Sequence, residues 1–338
     1  VGKESALVVC PGRGTYNAPE LSYLARHHAG HPDIAQFDAI RAEAAKEPLT
    51  ALDGAAKFQP SLHTRGDVAA PLIHAAAWCD FTAIDRERFD VVAVTGNSMG
   101  WYTALACAGA VSPENGFRVA DAMGVNSQKH APGGQMVLVL AGDDWRVDPA
   151  LAAQVERAMA ETVARPSIRL GGMLVVAGDA PALAALEHAL PPLPRPPLHL
   201  AGNGPFHTPL MAASSEAARA SLPQAWFGNP AVPLIDGRGA IVRPCASDSH
   251  ALWDYTFGAQ ILETYDFTAA LTVSIREFAP DRIVLLGPGE TLGGAIGQVL
   301  VALNWQEITD KAAFMARQAA NPILLAMGRA EQRSLVTA

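Results

Sequence analysis

Charge is scarce in this chain: 17% of its 338 residues are Asp, Glu, Lys or Arg, while 50% are apolar. The balance is acidic, with a net charge of −8 at pH 7. That argues against nucleic acid as a partner, because neutralising phosphates needs a positive face. Cysteine is sparse as well. The four cysteines, Cys10, Cys79, Cys107 and Cys245, are widely spaced with no Cys-x-x-Cys pair, so the sequence spells neither a disulfide framework nor a zinc site. Three of them lie in apolar runs and read as small core hydrophobes, in keeping with a reducing cytoplasm. Long apolar runs are missing too. None is long enough to span a bilayer, and the first, Ala6–Cys10, is strand-length and stops at Pro11-Gly12, unlike a signal peptide. The expectation is a soluble cytoplasmic protein.

What is present is a large apolar fraction over a length that exceeds one typical core, which predicts a main domain and a smaller one. The 29 glycines and 25 prolines suit a loop-rich α/β protein. Ala6–Cys10 reads as a first buried strand, followed by helical patterns over Pro19–Ala29, Ile34–Ala45 and Val68–Phe81. Val91–Thr95 is the second strand, with helices over Met99–Ala110 and Glu114–His130.

The texture changes after Ala131-Pro132-Gly133-Gly134. Strands at Gln135–Ala141 and Met173–Ala177, helices at Pro149–Thr162 and Ala180–Ala189, and a short strand near Leu198–Ala201 predict a small α+β insert. From Thr208 the first pattern resumes: a helix to Ser221, a strand Val232–Asp236, helices near Leu252–Leu262 and Phe267–Phe278, a strand Arg282–Leu286 and a helix Thr291–Leu303. Residues 304–338 read as helix on the large domain, Ile323-Leu324-Leu325 included, with the last residues frayed.

The chemistry centres on Gly96-Asn97-Ser98-Met99-Gly100, which is Gly-x-Ser-x-Gly between a buried strand and a helix. The glycines permit a sharp turn that exposes the serine, and the following helix aims its free N–H groups back at the site. An ordinary tight turn carrying a polar residue is the alternative reading of the pentapeptide alone. A nucleophilic serine needs a base. His27, His28 and His31 cluster near a helix end with no completing carboxylate or cysteine spacing, and read as a solvated helix end rather than a metal site. His207 stands in the rigid loop Gly204-Pro205-Phe206-His207-Thr208-Pro209, where catalytic bases are often placed, although a plain loop histidine would look the same.

Four segments occur together in order: Pro11-Gly12-Arg13-Gly14, Gly96–Leu105, Gly204-Pro205-Phe206-His207-Thr208-Pro209-Leu210-Met211, and Leu286-Gly287-Pro288-Gly289. The set resembles the malonyl-CoA:acyl-carrier-protein transacylase family, which includes the acyltransferase domains of fatty-acid and polyketide synthases. The likeness runs from Val8 to about Leu300. It implies an α/β-hydrolase-like catalytic domain over 1–130 and 203–338, with a ferredoxin-like subdomain inserted over 131–202. It also implies a Ser98–His207 dyad and an acyl-enzyme, with the oxyanion held by the backbone amides of Arg13 and Met99, donors of the kind worth ~3 kcal/mol each. By the resemblance, a backbone carbonyl near Asp266 orients the histidine. The acyl donor would be a CoA thioester and the acceptor the phosphopantetheine thiol of an acyl carrier protein. No metal or bound organic cofactor is implied, and a monomer is the default.

The chain departs from that pattern at the substrate pocket. Asn97 replaces the usual histidine before the serine, Trp101 replaces a glutamate, and Met123 stands where an arginine pairs with the malonyl carboxylate. A buried carboxylate without a cation loses several kcal/mol. Arg13 and Arg169 are the candidates to replace the cation, while Phe206 resembles malonyl-type members. Three other readings follow: the same dyad hydrolysing uncharged acyl thioesters, an unrelated α/β-hydrolase with His250 as base, and a non-enzymatic binding subunit.

Overall fold

The run Ala6-Leu7-Val8-Val9-Cys10 contains no charge because the strand it forms is covered on both faces, and all five side chains are 0% exposed. In the computed structural model, which describes residues 2–129, 132–200 and 202–338, that strand is the centre of a mixed α/β fold. The first expected domain boundary at 130/131 and the strand end at Ala201 lie outside the described residues.

The strands, in chain order, are β1 (Glu4–Cys10), β2 (Phe89–Gly96), β3 (Gly134–Val139), β4 (Arg165–Leu170), β5 (Met173–Gly178) and β6 (Leu198–Leu200). They continue as β7 (Leu234–Ile235), β8 (Ile241–Val242), β9 (Tyr265–Asp266), β10 (Arg282–Leu285) and β11 (Leu324–Ala326). One sheet has the order β11-β10-β1-β2-β7-β8 and is parallel apart from β8. The register of β1 on β2 sets Cys10 beside Gly96. The loop beginning at Pro11 and the turn holding Ser98 therefore leave neighbouring parallel strands at the same carboxyl edge, where open α/β sheets place their sites.

The second sheet has the order β6-β3-β5-β4-β9, antiparallel except for β4 on β9. Alternation along β3 sends Met136 and Leu138 to a small core shared with Val176 of β5 and with Val155, Leu183 and Leu186 from the helices Pro149–Ala160 and Ala180–Ala189. Asp148 and Asp179 start those helices by accepting from the amides of Ala150 and Ala182, each at 2.8 Å. On the opposite face Ile168 and Val175 join the main core.

Among the elements that differ from the sequence reading, two stand out. β4 was expected nowhere, because Pro166 and the exposed Arg165 and Arg169 mask a half-buried strand, and its register shifts between Pro166 and Ile168. Ile323-Leu324-Leu325 is not helix: after Pro322 the chain extends into β11 beside β10.

The last residues are docked rather than frayed. Val336 is 0% exposed, and its carbonyl accepts from the Asp85 amide at 2.9 Å. Arg333 donates to Asp80 Oδ1 at 2.7 Å, while Asp80 also binds the Tyr23 hydroxyl at 2.8 Å, His28 Nε2 at 2.7 Å and the Gly287 amide at 2.7 Å. His28 is thus buried on a carboxylate and not part of a solvated helix end. Burial alone would raise the Asp80 carboxyl, but His28, Arg333 and Tyr23 outweigh it and hold it below its ordinary value.

Removing one partner of a buried ion pair costs about 3–5 kcal/mol, since the other charge stays desolvated. Arg333→Ala should lower unfolding stability by that order in urea, and deletion of 332–338 by at least as much. An unchanged denaturation midpoint for both would restore the frayed reading.

Candidate active site

Gly96 and Gly100 are required by space. A Cβ at Gly96 would sit 2.3 Å from the Gly100 carbonyl oxygen, and one at Gly100 would sit 2.3 Å from the Cys10 carbonyl oxygen. The turn is that tight because the helix Gly100–Cys107 starts directly against the end of β1. Between the glycines, Ser98 is forced to φ +55, a left-handed conformation that stores strain of order 1–2 kcal/mol. The Asn97 amide donating to the Cys10 carbonyl at 3.0 Å and the Gly100 amide donating to the Asn97 carbonyl at 2.8 Å hold it there.

Ser98 Oγ lies 2.7 Å from His207 Nε2. The other ring nitrogen, Nδ1, lies 2.6 Å from the Gln260 carbonyl oxygen. A carbonyl only accepts, so Nδ1 carries the hydrogen and Nε2 presents its lone pair to the serine hydroxyl. His207 is 4% exposed and, like Ser98, has positive φ, at +60. Burial pushes its imidazole down to about 4, and the bond to the Gln260 carbonyl offsets this only in part. A serine hydroxyl on a neutral, oriented imidazole can lose its proton as it attacks an electrophilic carbon.

The pair lines a cleft that is open to solvent. Of the residues singled out in sequence, Arg13, Ser98, Met99, Met123, Phe206 and His207 all line it. Arg13 is the single fully charged side chain among the described lining residues. Its Nη2 donates to the Thr64 carbonyl at 2.9 Å, and its guanidinium stands 5.5 Å from the centre of the Phe206 ring. Burial lowers its pKa, while a guanidinium keeps its proton in proteins. Among the described residues, the amides of Arg13 and Met99 donate to no protein acceptor.

Three expected site residues fall elsewhere. The carbonyl on His207 belongs to Gln260, not Asp266. The Asp266 side chain caps the helix Phe267–Phe278 by accepting from the Ala269 amide at 2.7 Å, and its backbone pairs with Arg169. Arg169 is outside the cleft because strand alternation turns Ile168 inward and Arg169 outward, with its side chain 48% exposed near Glu156 and Asp266. Asn97 is 7% exposed with its amide turned towards Gly12, and it does not line the cleft. His250 is exposed at the start of the helix Ser249–Phe257 and stacks on Trp253, far from a role as base to Ser98.

No protein-family model matches the chain. The malonyl CoA-acyl carrier protein transacylase of Salmonella typhimurium is 24% identical over 234 residues, covering 66% of this chain and 71% of that protein. Its counterpart in Escherichia coli K12 is 24% identical over 237 residues with the same coverage. The crystal structure of MCAT from Mycobacterium tuberculosis matches with a TM-score of 0.71 at 26% identity, over 88% of this chain and 93% of that one. A malonyl-transacylase solved in complex with its type II PKS acyl-carrier protein matches with a TM-score of 0.73 at 19% identity, over 98% and 97%. The chain is a relative of the malonyl CoA-acyl carrier protein transacylases. Those relatives are named as transacylases, enzymes of the acyltransferase class.

Beside its transacylase relatives, the chain shows features that sequence reading missed. Gln260 touches the site three times: its carbonyl holds His207, its Nε2 donates to the Ser98 carbonyl at 3.1 Å, and its Oε1 accepts from the Tyr102 hydroxyl at 3.0 Å. The only signal nearby was the break at Gly258 between two helices. The His207 loop is also tied to the second sheet. Ser167 Oγ donates to the Phe206 carbonyl at 2.8 Å and accepts from Gln135 Nε2 at 2.7 Å.

An unfolded histidine titrates near 6.5, so a folded value near 4 makes the native state resist protonation. The stability this contributes is complete above about pH 6.5 and is lost as pH falls towards 4. His74, pushed down to about 3 by burial, acts with the same sign. The His207 ring nitrogens should show no titration by NMR between pH 7.5 and 5.5. A midpoint near the unfolded value would overturn the description of a buried, neutral base.

Proposed function

We propose that the chain transfers an acyl group from a CoA thioester to the phosphopantetheine thiol of an acyl carrier protein through an acyl-Ser98 intermediate. The observation that carries this reading is the 2.7 Å contact of Ser98 Oγ with an imidazole whose other nitrogen is fixed on the Gln260 carbonyl. Ser98 Oγ attacks the thioester carbonyl carbon, and its proton passes to His207 Nε2. The amides of Arg13 and Met99 stabilise the oxyanion, the latter at the start of the helix Gly100–Cys107. The intermediate collapses by breaking the carbon–sulfur bond, and His207 returns the proton to the departing CoA thiolate. The incoming thiol then gives its proton to His207 and attacks the ester, and collapse breaks the bond from the acyl carbon to Oγ as His207 returns the proton to Ser98.

Transfer rather than hydrolysis is supported by the names of the relatives described above, which are transacylases. The reading includes a malonyl or related acyl group, a monomer and a cytoplasmic setting. No helix of the described residues is long and apolar enough to cross a membrane. It includes as well an α/β-hydrolase-like catalytic domain over 1–130 and 203–338 with a ferredoxin-like subdomain over 131–202. The separate small core and the order β6-β3-β5-β4 support that division, with β9 of the larger part extending the smaller sheet.

Brief mixing with acyl-CoA should add one acyl mass to the intact protein, and Ser98→Ala should abolish the adduct. His207→Ala should slow its formation about 10²–10⁴-fold. With carrier protein present the product should be acyl-carrier thioester, not free acid. Labelling that persists in Ser98→Ala, or free acid as the main product, overturns the reading.

A further inference from the structure

The acyl cleft holds a cation without a protein counterion. Arg13 lines the same cleft as Ser98 and His207, and no carboxylate approaches within ion-pair distance among the described residues. Of its five N–H donors one is used on the Thr64 carbonyl, which with the Phe206 ring fixes the guanidinium in place. A half-buried guanidinium left unpaired is unfavourable unless a ligand neutralises it. A second polar group is also unpartnered: Ser214 Oγ lines this cleft, is 0% exposed and has no hydrogen-bond partner among the described residues. The rest of the wall is apolar or neutral, with Ala70, Met123, Gly124, Met211 and Ile261 contributing no charge.

We propose that Arg13 is the specificity residue that binds a free carboxylate on the acyl group, so that the cleft selects malonyl-type over uncharged acyl thioesters. This rests on the acyl-Ser98 reading above. In a malonyl thioester the carboxylate is one methylene from the attacked carbonyl, so it must lie inside the cleft whenever that carbonyl reaches Ser98. The phosphates of CoA are a whole pantetheine arm further out and do not compete for this position. The side chain of Arg13 also springs from the residue whose amide is assigned to the oxyanion. Met123 supplies no charge from the helix Pro113–Lys129, and the cation comes instead from the loop after β1.

The test compares rates of adduct formation from malonyl-CoA and acetyl-CoA by rapid-quench intact mass spectrometry. Wild type should favour malonyl-CoA. Arg13→Met keeps the backbone amide, and should reduce kcat/KM about a hundredfold more for malonyl-CoA than for acetyl-CoA. Adding Met123→Arg to Arg13→Met should restore the malonyl preference, which a merely unfolded variant cannot do. Equal loss for both thioesters without rescue, or a wild-type preference for acetyl-CoA, overturns the role of Arg13 alone. Failure of wild type to form an adduct with either thioester overturns the acyl-enzyme reading and this one with it.

Discussion

The contact between Ser98 and His207 is the constraint around which both sheets are arranged. It joins residues 109 apart in sequence, with the whole second sheet apart from β9 intervening in the chain. Neither residue rests in a relaxed backbone conformation, so each must be held from outside. Ser98 is held by the close approach of the helix Gly100–Cys107 to the end of β1. His207 is held from two sides, by the Gln260 carbonyl at its ring and by Ser167 of β4 through the preceding carbonyl. The second sheet therefore does more than cover the cleft: its buried hydroxyl fixes the loop that carries His207.

Burial decides the electrostatics of the same site. It keeps His207 neutral and leaves Arg13 charged with neutral neighbours. The two effects are complementary, because a neutral base beside a fixed cation gives a cleft of net positive character. An acidic chain overall thus presents a positive interior at the one place where the proposed chemistry needs it.

What sequence could and could not disclose follows from what each role demands of a residue. Ser98 was legible because its strained turn admits no side chain at Gly96 or Gly100, and that steric demand is spelled in the residues themselves. His207 was legible because its loop is bounded by proline and glycine. Gln260 was not, because a backbone carbonyl is common to every residue, and the likeness to a family placed the role at Asp266 instead. Arg169 was a fair candidate by composition, but a single step of strand register separates a cleft-lining residue from an exposed one, and Ile168 took the inner place. β4 escaped because its arginines and Pro166 disguise the pattern of an interior strand. The C-terminal segment was misread because Arg333 and Gln332 look like tail residues until a buried Asp80 gives one of them a partner.

That last network has a consequence for the order in which the protein is made. Arg333 reaches Tyr23 at a separation of 310 residues, and Asp80 joins the start of the chain to Gly287 and to the final helix. Contacts so distant in sequence form late and fold slowly. On the ribosome, the Ser98 turn and its two central strands emerge long before the arginine that neutralises the carboxylate beneath them. Until that arginine appears, Asp80 has, among the described residues, only the earlier His28 and Tyr23 as side-chain partners for its charge. The full set of partners around Asp80 is therefore assembled only when a residue 253 positions further along the chain has folded back onto it.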